Sequence, residues 1–196
     1  MSEPIFAPSR AGEGGRLSYW EAGAGDLVVA IIGDGERPTP AHALLAVHRR
    51  VLVFAAAADG GAPQQEAGRV GAVVAALSIE RFDLLGEGNG AAAALWLALD
   101  PEPEIGTIVL VAPAGIPDDA FRYIKQPVLV LCGTNDAPAA GDPYRAVLPD
   151  AHFMLVYDAG SAIGSERPEA LAFIAREFFE RRDLFLVSRE SGVALP

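Results

Sequence analysis

Short, uninterrupted apolar runs recur along the chain, and they constrain its fold more than any other feature of the sequence. A run of this kind, without polar alternation, is typical of a strand that is buried on both faces of a parallel sheet. Glycine and proline bound the runs, as expected where strands give way to turns. We expect strands over residues 26–33, 50–58, 81–86, 106–113 and 127–133, an early edge strand over 16–23 and a seventh candidate over 151–158.

Helical patterns fill the gaps between these runs. Residues 91–99 are apolar on every side, which indicates a central helix, and Pro168 opens an apolar stripe near the end of the chain. The i, i+3, i+4, i+7 spacing of an amphipathic helix is followed by Val70, Val73, Val74 and Leu77. Strands alternating with helices predict one α/β domain over 1–196, with a doubly wound, mostly parallel sheet flanked by helices.

Charge and cysteine content exclude several classes of function. The 196 residues include 15 Lys and Arg against 26 Asp and Glu, a net charge of −11, which is the wrong sign for a nucleic-acid binder. The single cysteine, Cys132, excludes an internal disulfide framework and a cysteine-based metal cluster. No apolar run reaches the length of a membrane span, and the first residues resemble no signal peptide. We expect a cytoplasmic protein without a metal or cofactor.

One strand–turn–helix segment carries a resemblance to a known family. Residues 82–99 read FDLLGEGNGAAAALWLAL, in which a strand ends in G-x-G-x-G and passes directly into a helix of small residues. This segment resembles the nucleophile elbow of the α/β-hydrolase family, whose pattern is G-x-S-x-G. Gly86 and Gly90 match the two outer glycines, which a tight turn and closely packed backbones require. The family's nucleophile position falls on Gly88.

Four further segments resemble the family in the same order. Gly33 matches the glycine of the loop that supplies the oxyanion hole, while Ile32 stands at the histidine beside it. The strand over 50–58 resembles the next family strand. Asp136 matches the position of the triad acid, and Ser161 stands at the position of the triad histidine. The family often inserts a cap domain where this chain has only residues 114–126, so the resemblance implies a capless member.

The residues at the matched positions do not supply acyl-transfer chemistry. That chemistry needs a nucleophile, a base that takes its proton, and an acid that orients the base. Gly88 has no side chain, and none of the three histidines stands at the family's position. His42 could approach the cleft from the oxyanion loop, although a surface position is the simpler interpretation. Asp136 has no histidine to orient and is expected to cap its own loop.

The remaining candidates for a cleft are Gly33, Asp34, Glu87 and Asn89. Glu87 could act as a general base through a water molecule, but we favour a solvated turn residue. Asn89 could point into the cleft, but we favour a cap on the following helix. Asp34 would repel negative charge that develops at an oxyanion hole. GEGNG lacks the Lys and Ser or Thr of a phosphate-binding loop, and we expect Cys132 in the core.

Two functions remain open. The favoured hypothesis is a degenerate α/β-hydrolase, a pseudo-enzyme that serves as a binding or assembly module and takes a small-molecule ligand. The alternative is an enzyme of unusual mechanism, of hydrolase or lyase type, in which Asp34, Glu87 or Asp136 handles protons in the same cleft. The first is favoured because nucleophile, base and oxyanion-loop histidine are all missing from one site.

The C-terminal tail, residues 183–196, extends beyond the resemblance. It carries Leu184, Phe185, Leu186 and Val187 in a row, a composition that requires a cover of some kind. One interpretation is a segment folded back on its own domain. The other is an extra strand exchanged between two copies, which predicts a homodimer to which residues 183–190 contribute.

Overall fold

A single β-sheet organises the chain. The computed structural model describes residues 4–11, 17–56, 61–137, 141–148 and 150–182. Within them the strands are β1 (Ala7–Ala11), β2 (Leu17–Ala22), β3 (Leu27–Ile32), β4 (Arg50–Ala55), β5 (Arg81–Glu87), β6 (Glu104–Val111), β7 (Val128–Gly133) and β8 (His152–Val156). Their order across the sheet is β1-β2-β4-β3-β5-β6-β7-β8. All seven predicted strands are present.

Strands β3 to β8 are parallel to one another, whereas β1 and β2 join antiparallel on the outer side of β4. The strand expected over 16–23 is β2, but its predicted edge position was wrong. It pairs with β4 on one side and with β1 on the other. Strand β1 has the sequence APSRA, which contains no apolar run, so the hydrophobic pattern does not reveal it.

Helices cover both faces of the sheet. They are α1 (Pro40–Ala46), α2 (Pro63–Ala76), α3 (Gly90–Ala98), α4 (Asp142–Val147), α5 (Ile163–Glu166) and α6 (Pro168–Arg181). The helices α2, α3 and α4 pack on one face, and α1, α5 and α6 pack on the other. The three predicted helical segments are confirmed in α2, α3 and α6, and Pro168 is in the first turn of α6.

The apolar runs are explained by burial on both faces. Every residue of β3 is buried. Val29 and Ile31 pack against the face that carries α3, whereas Val28 and Ala30 pack against the face that carries α1. A strand with helices packed on both of its faces has no solvent-exposed face on which polar residues would alternate with apolar ones.

The connection between β6 and β7 is short and contains a 3₁₀ helix, Asp119–Tyr123. It holds no cap domain, as the sequence predicts. The tail over 183–196 lies outside the described residues. Within the described ranges, no helix has the length and apolar character needed to cross a membrane.

Candidate functional site

A sharp turn joins β5 to α3 at the carboxyl edge of the sheet, where the ligand sites of parallel sheets form. Between the end of β5 at Glu87 and the start of α3 at Gly90, Gly88 has a φ of +52°. Glycine reaches this left-handed conformation without steric cost. A Cβ on Gly88 would meet no heavy atom within 4 Å. The position matched to the nucleophile therefore adjoins open space and presents no reactive group to it.

The outer glycines of the turn allow backbones to touch. A Cβ on Gly86 would lie 2.8 Å from the Cα of Ala91, and one on Gly90 would lie 2.2 Å from the carbonyl oxygen of Ile31. Neither distance is compatible with a side chain. These glycines let α3 lie directly on β5 and β3, so they are required by packing whether or not the turn carries a nucleophile.

The loop after β3 carries a carboxylate that folds back on its own backbone. The N–H of Gly33 donates a hydrogen bond to Oε2 of Glu36 at 3.0 Å. Asp34 is exposed beside it, and Ile32, at the family's histidine position, is buried. An oxyanion hole needs free hydrogen-bond donors. This loop instead presents two carboxylates, and one of them already occupies a backbone N–H.

A buried histidine links this loop to the elbow. The N–H of Thr39 donates to Nδ1 of His42 at 3.0 Å. Because a backbone N–H can only donate, Nδ1 is unprotonated, and the ring proton is on Nε2. Nε2 lies 3.1 Å from Oε1 of Glu87, although the pair lacks the alignment of a hydrogen bond. His42 is only 1% exposed and Glu87 only 9% exposed.

The positions expected for these two residues were wrong, since neither Glu87 nor His42 is solvated. Strand β5 extends through Glu87, so its side chain points to the same face as Leu85, towards α1. A period of two along β5 was the sequence signal for this orientation. Nothing in the sequence links Glu87 to His42, which is 45 positions earlier, because the sheet order brings their elements together.

The cap expected of Asn89 is not formed. Asn89 occupies the position before the first turn of α3, but its side chain makes no capping hydrogen bond and is exposed. The other two histidines lie away from the elbow. His48 is exposed just after α1, and His152 opens β8 at the edge of the sheet opposite the elbow.

Asp136 follows β7 and is half-buried. Its Oδ1 accepts a hydrogen bond from the N–H of Ala137 at 2.8 Å, which agrees with the expected loop-capping role. Asp136 also lines a small cavity of about 170 Å³ with Cys132, whose side chain is buried as predicted. Burial raises the pKa of the Cys132 thiol, and the charge of Asp136 raises it further.

Ser161 is exposed in the loop between β8 and α5. The loop is fixed on both sides of it, because the N–H of Gly160 donates to Glu166 and the side chain of Arg167 contacts Asp158. The following segment reaches the His42 region, since a Cβ on Gly164 would lie 2.7 Å from Oγ1 of Thr39.

The structure therefore places the matched triad positions on three strand ends, with Gly88 after β5, Asp136 after β7 and Ser161 after β8. The residues at these positions are a glycine, a half-buried aspartate and an exposed serine. The acid–base contact that the structure does bring together is the one between His42 and Glu87. No group of three or more His, Cys, Asp or Glu is placed to hold a metal ion within the ranges that the structure covers.

Comparison with solved structures identifies the fold. No protein-family model and no curated protein matches the sequence. A serine hydrolase involved in carbazole degradation superimposes with a TM-score of 0.77 at 17% identity, covering 91% of this chain and 100% of that one. Naproxen esterase from Bacillus subtilis gives 0.73 at 12% identity, with coverages of 90% and 91%.

A third structure is MGS-MChE2, an α/β-hydrolase enzyme from the metagenome of lagoon sediments at Mar Chica, Morocco. It gives a TM-score of 0.74 at 18% identity, with coverages of 90% and 99%. Identities this low establish the fold alone. The chain has the α/β-hydrolase fold.

Proposed function

We propose that this protein is a pseudo-enzyme of α/β-hydrolase fold, a binding module that performs no acyl transfer. The observation that carries the proposal is the elbow, where Gly88 stands with a φ of +52° and open space beyond it. The turn geometry is kept, but no hydroxyl or thiol is available to attack a carbonyl carbon. Without a nucleophile, no covalent acyl intermediate forms.

The surroundings of the elbow support the same proposal. A general base for acyl transfer must reach the reacting group from the cleft. The exposed Ser161 cannot accept a proton as an imidazole does, and His42 directs Nε2 at Glu87 within the protein. The Gly33 N–H is bonded to Glu36. These three groups, which would relay or stabilise charge, are therefore unsuited to the task or already engaged.

The charges along the carboxyl edge favour one class of ligand. Asp34 and Glu36 follow β3 beside the exposed Arg37, Asp136 follows β7, and Asp158, after β8, is paired with Arg167. The carboxylates outnumber the guanidinium groups among these residues, so this edge carries a net negative charge. A surface of this sign repels carboxylates and phosphates and attracts cations. We expect the ligand to be a neutral or cationic small molecule.

The His42–Glu87 contact favours a second candidate, an enzyme that moves protons without a serine nucleophile. A histidine 3.1 Å from a carboxylate can exchange a proton with it. Such an enzyme would need a path from this pair to the substrate, and both side chains are buried.

The test is hydrolysis of p-nitrophenyl acetate and butyrate, followed at 405 nm, together with labelling by a fluorophosphonate probe. We expect rates equal to those of the heat-denatured protein, and no label. The variants Glu87→Gln and His42→Gln are compared with Asp34→Asn, which changes an exposed carboxylate of the same cleft. Turnover that Glu87→Gln abolishes and Asp34→Asn retains would establish the second candidate instead.

A restoration experiment measures how far the site departs from an active one. The double variant Gly88→Ser, Ser161→His returns a hydroxyl and an imidazole to the matched positions. We expect little or no esterase activity, because catalytic groups must be placed within about 0.5 Å and the β3 loop still presents Asp34 and Glu36. Activity in the folded double variant would show that the rest of the site is intact.

A further inference from the structure

One outer strand of the sheet carries none of the usual protection against pairing with another chain. Strand β8 ends the sheet beyond β7, and no strand in the described ranges pairs with its outer side. Its sequence, HFMLV, contains no proline and no Lys, Arg, Asp or Glu, which are residues that commonly block an outer strand. Strand β1, at the other side of the sheet, contains both Pro8 and Arg10. The two outer strands therefore differ in how readily they accept a partner.

Apolar side chains are exposed along β8. Leu155 is 68% exposed, and Tyr157, just after the strand, is 82% exposed. Leu155 projects to the same face as Phe153, because side chains two positions apart in a strand share a face. Phe153 is half-buried, and the guanidinium group of Arg145 lies 3.8 Å from the centre of its ring. Large apolar groups exposed beside an unpaired strand indicate an interaction surface.

The backbone of β8 offers hydrogen bonds on its outer side. The carbonyl oxygen of Val156 accepts from the N–H of Thr134, so Val156 directs its backbone groups towards β7. Backbone groups alternate in direction along a strand, and Met154 therefore also faces β7. Phe153 and Leu155 direct their N–H and C=O groups outward, where a further strand can bind them.

We propose that β8 pairs with β8 of a second copy of this chain, antiparallel and about a two-fold axis at Met154. In this register Phe153 stands opposite Leu155 of the second copy, and Met154 stands opposite Met154. The two eight-stranded sheets then form one continuous sheet. Two-fold dimers are the commonest closed assemblies, and a two-fold axis makes an antiparallel pair of identical strands self-complementary.

The charges beyond the ends of β8 favour a second copy as the occupant. The same register places residue 150 opposite residue 158 of the other chain. Asp150 is exposed, and Asp158 is paired with Arg167. Arg167 of one copy therefore comes close to the Asp150 carboxylate of the other, and symmetry forms this contact twice. The strand itself lacks acidic residues, so the net charge of −11 is not concentrated where the copies meet.

Disulfide trapping in the full-length chain tests this register. In a Cys132→Ala background, Met154→Cys places two thiols on the two-fold axis. Residues opposite each other in such a non-hydrogen-bonded pair have Cα atoms about 4.5 Å apart, which a disulfide can bridge. The matched control is Ser9→Cys, at the centre of the other outer strand, β1. After mild oxidation we expect a disulfide-linked dimer from Met154→Cys and monomers from Ser9→Cys.

Light scattering over a range of protein concentrations measures assembly without a cross-link. We expect the wild type to form a dimer. Leu155→Lys places a charge beside the outer backbone groups of β8 and should raise the dissociation constant of the dimer at least about tenfold. The matched control is Ile5→Lys, because Ile5 is 88% exposed and precedes β1 at the other side of the sheet. This variant should keep the dissociation constant of the wild type.

The other outcomes overturn the proposal. A monomeric wild type would refute it, as would equal cross-linking, or none, in the two cysteine variants. A wild-type dimer that Leu155→Lys leaves unchanged would place assembly on another surface, such as the tail segment 183–190 predicted from the sequence.

Discussion

Alanine substitutions at the three elbow glycines should separate their structural roles. Gly90→Ala places a Cβ 2.2 Å from the carbonyl oxygen of Ile31. Real Cβ contacts are essentially never closer than 3.0 Å, so α3 must move away from β3 by about 0.8 Å. Since backbone opposes backbone, no side chain can rotate out of the way, and we expect a loss of about 3 kcal/mol or more.

Gly86→Ala should cost somewhat less, because one of its two 2.8 Å contacts is with the Cβ of Ala94 and both require a smaller movement. Gly88→Ala meets no atom and is affected only by its positive φ. That conformation costs an alanine about 1–2 kcal/mol, and the lower entropy of the unfolded chain returns about 0.4–1 kcal/mol. We expect a net loss of about 1 kcal/mol.

The assay is urea unfolding at pH 7, with the free energies compared at equal slopes. Gly68→Ala is the control, because Gly68 is an exposed position within α2 whose Cβ would have nothing within 4 Å. It should stabilise the protein by about 0.5–1 kcal/mol. A loss at Gly88 equal to that at Gly90, or a loss below about 1 kcal/mol at Gly90, would refute the reasoning.

Three further predictions concern buried groups. Burial raises the pKa of Asp83 above its usual 3.8. The contribution of Asp83 to stability is therefore largest below pH 4 and is lost as the pH rises through the raised pKa. Urea unfolding should show the wild type losing stability relative to Asp83→Asn from pH 4 upwards, and a relative gain would contradict this sign. Burial raises the pKa of Tyr144 to about 12. In an absorbance titration at 295 nm, the tyrosine ionisation step at the highest pH should be missing from Tyr144→Phe. An unchanged titration curve would contradict the raised pKa of Tyr144. Burial also raises the pKa of Cys132. Ellman's reagent should therefore react at least about tenfold more slowly with the native protein than with the unfolded chain at pH 8. Equal rates would exclude a buried thiol.

The sequence predicts the sheet well because strands that are buried on both faces have continuous apolar sequences. It predicts β1 poorly, since APSRA joins the sheet through backbone hydrogen bonds to β2 and not through apolar side chains. The edge position predicted for residues 16–23 was wrong for the same reason, because the strand that lies outside them, β1, has no apolar pattern. A strand without an apolar pattern is recognised only when its partner is known.

The candidate site is predicted in part. The elbow is anticipated by the family resemblance of GEGNG, whose outer glycines suit a tight strand–helix turn, whereas the positive φ of Gly88 is a finding of the structure. The burial of Glu87 does not follow from local spacing alone. It depends on β5 lying beside β3, which brings α1 and His42 above Glu87. Contacts of this kind depend on the order of the strands in the sheet, and a single sequence does not reveal that order.

The position of β3 has a consequence for the nascent chain during synthesis on the ribosome. Every residue of this strand is buried, yet its neighbours are β4, which follows it within about twenty residues, and β5, which ends only at Glu87. A nascent chain that has released fewer than the first 87 residues therefore holds β3 with one side unpaired and apolar. Such an edge pairs readily with other chains. Emergence of β5, and not of β4, is the moment at which the growing chain can first pair both sides of β3.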